Sequence, residues 1–361
     1  MKRILFSLLY VVCMGISLMG NTAWANDETN AFRETFERSW PKTDFSKYTV
    51  SRQEFLSGGP TKDGIPAIDM PHVETLRDGV ASGWARQLST NAPVIVVTLN
   101  GETRAYPLEI LLWHEIVNDS VGGVPIVVTY CPLCNVALVF RRNVDGKLLD
   151  FGTTGLLRKS NLVMYDRQSE SWWQQFDGKS IVGALADTKL KMIPSFVESF
   201  ASFAKAHPEG EVLVPSDPAM RAYGRTPYAG YDANQSPPFL NGEVDTFPLE
   251  PMEPVVVVQG LKSPVGISLT YLRDVKELEL DGLRLVWRAG MASVLDRKDL
   301  RNGRDLGEVR VEHLTPAAAP SESEVVRFRT FAFAYRSFFP DGKIIARCVN
   351  AKGHPHADCR P

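Results

Sequence analysis

Much is missing from this 361-residue chain, and each absence narrows its chemistry. No G-x-x-x-x-G-K phosphate loop is present, no G-x-S-x-G nucleophile elbow and no H-E-x-x-H helix, so nucleotide hydrolysis, serine-esterase chemistry and zincin-type proteolysis have no motif to rest on. Neither charge dominates: 40 Lys and Arg stand against 42 Asp and Glu, for a net charge of -2, which gives no electrostatic case for nucleic acid or an anionic membrane as partner. Beyond the first nineteen residues no apolar run has the length and purity of a membrane span. Cysteine and histidine are scarce, at 5 and 6 residues, so where they cluster carries weight.

What is present begins with an export signal. Lys2 and Arg3 precede the apolar run Ile4 to Met19, and Ala23-Trp24-Ala25 is an A-x-A cleavage pattern. Val11 and Val12 stand before Cys13 where a lipoprotein signal wants small residues, so no lipid anchor is expected. The mature chain is expected to start near Asn26 and to reside in the periplasm or outside the cell. Its composition, 44% hydrophobic and 23% charged, is that of a globular protein able to bury a sizeable core. Four cysteines remain after cleavage: Cys131, Cys134, Cys348 and Cys359. In an oxidising compartment a pair is a disulfide unless a metal or a redox cycle claims it.

Residues 26–56 read as a polar leader, and Gly and Pro residues between Phe55 and Pro71 require an irregular loop. Val94 to Thr98 and Thr103 to Tyr106 flank Asn100-Gly101, a strong hairpin signal. Pro107 opens a helix expected over Leu108 to Val117, apolar around most of its surface and ended by Asn118-Asp119 and Gly122-Gly123. Strands are expected at Ile126–Tyr130, Ala137–Arg141, Leu148–Phe151 and Leu162–Tyr165, then a hairpin from Trp172 to Val182 turning at Asp177-Gly178. Ser195-Phe196-Val197-Glu198 reads as a capping box starting a helix that carries Phe196, Phe200 and Phe203.

The second half looks like a faded copy of the first. Pro93 to Val97 matches Pro254 to Val258, and at the same offset Leu108 and Leu111 fall on Leu269 and Leu272. Asp177-Gly178-Lys179 resembles Asp341-Gly342-Lys343, and Leu283–Trp287 and Ser293–Asp296 are expected to replace the strands around the cysteines. The copy has no counterpart of His114, Cys131 or Cys134. The division expected is 57–214 for the first half, 215–250 for an irregular connection, 251–346 for the second half and 347–361 for a tail. The fold class expected is α+β, β-rich and mostly antiparallel, with an internally duplicated core and a few helices.

The strongest local signal is Tyr130-Cys131-Pro132-Leu133-Cys134-Asn135. A c-type haem site needs His where Asn135 stands. A thioredoxin-type site needs a helix after the pair, whereas Val136 to Phe140 favours a strand. Strand, Cys-Pro-x-Cys, small turn residue, strand is the shape of a metal knuckle, with Asn135 suited to a left-handed conformation. Copper or zinc suits such a thiolate pair, and iron is a further candidate. His114 is the natural third ligand, and Met164 a weaker one that equally suits the core. Glu115 or Asp119 could orient the imidazole or serve as acid or base, with Asp119 expected to be solvated. The plainer readings are two buried thiols or a local disulfide, and a histidine satisfied by a backbone carbonyl. Cys348 and Cys359, with His354 and His356 between them, are expected to form a disulfide tying down the tail. Gly152-Thr153-Thr154-Gly155 with Arg158 to Asn161 is expected to be a hairpin connection with a solvated basic tip, the alternative being an anion or substrate site.

Several of these segments recur together in a known pattern. Gly58-Gly59-Pro60 through Ile68-Asp69, Tyr106-Pro107-Leu108, Trp113 to Asp119, Thr129 to Asn135, Phe151-Gly152, Leu156 to Asn161, Met164-Tyr165-Asp166 and Ser171-Trp172-Trp173 resemble the bacterial and archaeal domain of unknown function 3179 family. The resemblance implies one unit from about Ser57 to Ile345 and an exported life; the family's name leaves its activity unassigned. From the residues, three readings stand: a metal-binding protein or metalloenzyme using Cys131, Cys134 and His114; a thiol–disulfide oxidoreductase cycling Cys131 and Cys134 with His114 as base; and a binding or scaffold protein in which the pair is structural. Glu115, Cys131 and Cys134 are the catalytic candidates, and a small molecule or a redox protein is the partner expected.

Overall fold

The computed structural model describes residues 38–233, 237–239, 242–259, 263–314 and 326–347. The expected export signal and the expected Cys348–Cys359 disulfide, with His354 and His356, lie outside the described residues. Within them the chain is β-rich, with 41% strand and 13% helix, mostly antiparallel sheets and four helices. The helices are α1 (Leu108–His114), α2 (Phe200–Ala206), α3 (Leu269–Val275) and α4 (Ala332–Phe338). Five sheets of three to five strands form a propeller-like arrangement. No helix among the described residues is long and apolar enough to cross a membrane.

The duplication is written in the topology. In the first half the hairpin Pro93–Leu99 and Glu102–Pro107 leads into α1, then into the meander Ile116–Val121, Val124–Cys131 and Val136–Arg141. Phe196–Ser199, α2 and Glu211–Val214 return the chain to the first sheet, one strand antiparallel to Pro93–Leu99 and the other parallel to Glu102–Pro107. The second half repeats every step: Pro254–Gln259 and Val265–Ser268, α3, the meander Glu277–Leu280, Leu283–Arg288 and Glu308–His313, then Val326–Phe331, α4 and Lys343–Ile345. Even the irregular residue after the first helix is shared. Glu115 and Lys276 take φ of 57° and 67°; their N–H groups donate to Leu111 and Leu272, and their carbonyls accept from Tyr130 and Trp287.

Two correspondences between the halves differ from those the sequence suggests. The counterpart of Lys343–Ile345 is Glu211–Val214, preceded by His207-Pro208-Glu209-Gly210 as the other is by Phe339-Pro340-Asp341-Gly342; both turns close with the glycine N–H on the carbonyl three residues back. Lys179 belongs instead to a hairpin of the first half. Ser293–Asp296 is also no strand. Leu283–Arg288 pairs with Glu308–His313, while Ser293 donates to the Asp232 carboxylate at 2.5 Å and the Asp296 carboxylate accepts the Arg304 N–H at 2.9 Å.

Two expected helices are shorter than their patterns. α1 stops at His114 because Glu115 turns left-handed, and the β-branched Ile116 and Val117 then pair with Thr129 and Val128; Gly122 and Gly123, both at positive φ, make the hairpin turn. The Ser195 capping box does not form, because Phe196 and Val197 pair with Val96 and Ile95. α2 starts three residues later, with the Ser199 hydroxyl accepting the Ser202 N–H at 3.2 Å.

The first half has a sheet with no counterpart among the described residues of the second: five strands, Phe55–Ser57, Phe151–Arg158, Asn161–Asp166, Trp172–Gln174 and Ser180–Val182. One apolar core joins all of this, running from Ile95, Val127 and Cys131 through Phe176 to Val255, Phe331 and Tyr335. Phe176 stacks on Phe338 of α4 with ring centroids 4.1 Å apart, so the halves are one packed body.

The seam between the halves carries a buried carboxyl. Glu198 lies on the strand that packs against Glu308–His313 and Val326–Phe331. Burial and the neighbouring Glu308 raise its pKa from 4.5 to about 7, against the pull of Arg310 and Arg327. The fold therefore holds this proton more tightly than the unfolded chain does. The stability it contributes is complete below about pH 4.5 and is lost as pH rises through 7. Glu198→Gln should flatten that decline in urea-unfolding free energy; an unchanged pH profile would remove Glu198 as its source.

Candidate functional site

The site grows from the meander of the first half. Val124–Cys131 and Val136–Arg141 pair in register, with Cys131 opposite Val136, and residues 132–135 turn between them. The Asn135 N–H closes on the Pro132 carbonyl at 3.1 Å, and Asn135 takes φ 51° as its position in the motif predicts. The turn is buried: Cys131 is 2% exposed and Cys134 not at all. Both cysteines are free thiols within hydrogen-bonding reach of each other.

The extra sheet caps the two sulfurs. Lys159 and Ser160, at φ 53° and 62°, make the hairpin turn between Phe151–Arg158 and Asn161–Asp166. Their carbonyls lie 4.0 and 3.7 Å from the Cys134 and Cys131 sulfurs, and the Leu162 N–H donates to Cys131 at 3.4 Å. The tip expected to be solvated is therefore folded over the site. Ser160 is fully buried, and the Lys159 ammonium donates to the Ser337 carbonyl of α4 at 2.6 Å.

These contacts make the thiols unequal. Burial pushes the Cys131 thiol up, but hydrogen bonds from Cys134 and from the N–H groups of Leu162, Cys134 and Leu133 outweigh it and hold Cys131 below the usual thiol value. Burial and the proton shared toward Cys131 push Cys134 well above it. Glu115, at the left-handed residue after α1, is buried, and its carboxyl has no hydrogen-bond partner among the described residues. Burial and then the charge of Cys131 push its pKa well above the usual carboxyl value, which favours the protonated form.

His114 is engaged elsewhere. Its Nδ1 faces the Pro66 carbonyl at 2.9 Å, its Nε2 the Tyr223 hydroxyl at 2.8 Å, and the two rings stack. Burial lowers its pKa, so it stands neutral, donating from Nδ1 and accepting at Nε2. A backbone carbonyl orients it, and neither Glu115 nor Asp119 does. Asp119 is not solvated: it is buried and accepts from Arg104 and the Tyr106 hydroxyl, both at 2.7 Å. Met164 is in the core, opposite Trp173 on the neighbouring strand. The described residues hold no group of three His, Cys, Asp or Glu side chains arranged to bind a metal.

Sequence reasoning missed several participants. Asn161, Gln174 and Gln175 form a buried amide network: Asn161 donates to Gln175 and accepts from Gln174, both at 2.7 Å, and Gln175 donates to the Thr129 hydroxyl at 2.8 Å. Tyr223, Tyr228 and Tyr231 come from the irregular crossing. Tyr231 donates to the Leu133 carbonyl at 3.0 Å, and burial followed by the charge of Glu115 raises the pKa of Tyr228. Three tyrosines in a Gly- and Pro-rich stretch were the available signal. The second half contributes Thr330 and Phe331, whose hydroxyl and N–H reach the Cys134 carbonyl at 2.8 and 3.2 Å.

Fold and site together define a duplicated, β-rich protein whose first copy carries a buried dithiol and a buried carboxyl. The chain belongs to the family described as protein of unknown function (DUF3179), whose model matches residues 62–342. No curated protein and no solved structure matches it.

The amide network makes a measurable claim. Asn161→Ala strands the Gln175 carbonyl, the Gln174 amide and the Phe176 N–H in the core. It should cost about 3 kcal/mol of unfolding free energy in urea. A loss below about 0.5 kcal/mol, the level of an ordinary surface substitution, would mean that the network does not hold the hairpin over the sulfurs.

Proposed function

We propose that this protein is a thiol–disulfide oxidoreductase in which Cys131 is the nucleophile and Cys134 the resolving thiol. The observation that carries the reading is the asymmetry around the two sulfurs: the Leu162 N–H and Cys134 both hydrogen-bond Cys131, and the charge of Cys131 acts on the buried Glu115. In this reading the Cys131 thiolate attacks one sulfur of a partner disulfide, forming a mixed disulfide and releasing the partner's other sulfur, which takes a proton from Glu115. The Glu115 carboxylate then takes the Cys134 proton, Cys134 attacks Cys131 and breaks its bond to the partner, and the second partner sulfur leaves as a thiolate that takes this proton from Glu115; solvent returns to Glu115 the proton that Cys131 gave up on ionising. The partner gains two electrons and two protons; the Cys131–Cys134 pair loses them. Tyr231 and Phe239 are bonded over the turn, so a small disulfide reaches Cys131 more readily than a protein does. Oxidising chemistry of this kind suits the periplasmic or secreted location proposed from the N-terminal sequence.

The metal reading of the same residues asks more. For His114 to join Cys131 and Cys134 around copper or zinc, it must give up Pro66 or Tyr223. Met164 would have to leave its core position. The scaffold reading needs neither electrons nor metal.

One set of variants separates the three in a Cys348→Ser/Cys359→Ser background. With glutathione disulfide, Cys134→Ser should accumulate a mixed disulfide at Cys131, while Cys131→Ser should form none. Glu115→Gln should slow resolution of the mixed disulfide by at least tenfold, as expected for the loss of the general base that deprotonates Cys134. Stoichiometric copper or zinc that disappears with Cys131→Ser would favour the metal reading. Loss of stability without adduct or metal would favour the scaffold.

A further inference from the structure

A cavity of about 20 Å³ lies between the two halves beside the cysteine turn, lined among others by Tyr130 and Asn135 from the first half and by Ser293, Val294 and Arg329 from the second. That volume admits one water-sized occupant. Its polar groups are one-sided. The Arg329 side chain is half-buried, and burial of its guanidinium lowers its pKa to about 10, so it is a cation at neutral pH. It donates one N–H to the Gly307 carbonyl at 2.7 Å and forms no ion pair with a described carboxylate.

The two carboxylates that act on it from a distance, Asp305 and Glu308, are committed elsewhere. Asp305 accepts the N–H groups of Gly290, Met291 and Gly307. Glu308 accepts the Ser199 N–H and the Ser202 hydroxyl. On the facing wall the Asn135 carbonyl oxygen accepts the Tyr130 hydroxyl at 3.0 Å, which leaves the Asn135 amide hydrogens for the cavity. Ser293 is spent on Asp232 and on the Leu295 N–H. No carboxylate lines the space. A buried cation without a counter-charge is costly, and a wall of donors with fixed positive charge is what a small anion requires.

We infer that the cavity between Arg329 and Asn135 is a binding site for a single halide-sized anion, chloride being the abundant one. The bound ion would join the turn of the first half to the strand Val326–Phe331 of the second, and the site does not depend on the redox reading.

The probe is bromide. Crystals of the full chain soaked in sodium bromide and measured at the bromine absorption edge should show an anomalous peak in the cavity. In solution the thermal midpoint should rise saturably with bromide, with ionic strength held constant by sodium gluconate. Arg329→Gln should abolish both. Asn135→Asp keeps the acceptor for Tyr130 and gives the guanidinium an internal partner, so it should fold and lose the bromide response, and it decides the matter if Arg329→Gln does not fold. No peak in the parent protein, a peak without a solution response, or a response undiminished in Asn135→Asp would overturn the assignment.

Discussion

Carrying the turn from Cys131 to Asn135 into the core obliges the molecule to find partners for every polar atom that goes with it, and much of the surrounding architecture answers that demand. An unpaired buried backbone group costs on the order of a hydrogen bond. The Leu133 carbonyl is met by Tyr231, the Cys134 carbonyl by Thr330 and Phe331, the Pro132 carbonyl by Asn135, and the Cys131 sulfur by Leu162. Those partners come from the crossing segment, the second half, the turn itself and the extra sheet. Four separate parts of the chain must be in place before the dithiol is, so the site is a product of the whole fold.

Duplication explains how such a site could arise. Both copies build the same hairpin, helix and meander, and both break the helix with a left-handed residue whose carbonyl ties back to the central strand. At that residue the first copy has a buried Glu115 and the second has Lys276, whose ammonium lies 3.9 Å from the centre of the Trp287 ring. After the cysteine-bearing strand's partner, the first copy inserts the sheet that covers the sulfurs, while the second runs on to Val326–Phe331 and uses that strand to clasp Cys134. One copy carries the cysteine turn and the other braces it.

The sequence made the strands, the repeat and the cysteine turn legible because each rests on local signals: β-branched runs, Asn-Gly and Gly-Gly turns, and an asparagine suited to positive φ. It misled where local preference met a tertiary constraint. Ser195 to Glu198 is a good helix start on its own, yet Phe196 and Val197 gain more by pairing with Val96 and Ile95. His114 and Asp119 drew attention as polar residues near the cysteines, but a Pro66 carbonyl 48 residues away claims one and Arg104 the other. Asn161, Gln174, Gln175 and Tyr231 gave no local sign of their roles because their partners are distant in sequence and only the fold brings them together.

The central claim is that Cys131 and Cys134 exchange electrons as a pair. The direct measurement is equilibration of the Cys348→Ser/Cys359→Ser protein with a graded series of reduced and oxidised glutathione, followed by acid quench and intact mass. The account predicts a reversible two-electron transition in which the mass falls by both thiol hydrogens, with a midpoint inside the range spanned by known dithiol oxidoreductases, roughly -120 to -270 mV. A pair that stays reduced across the whole series, or that oxidises only irreversibly, would contradict it.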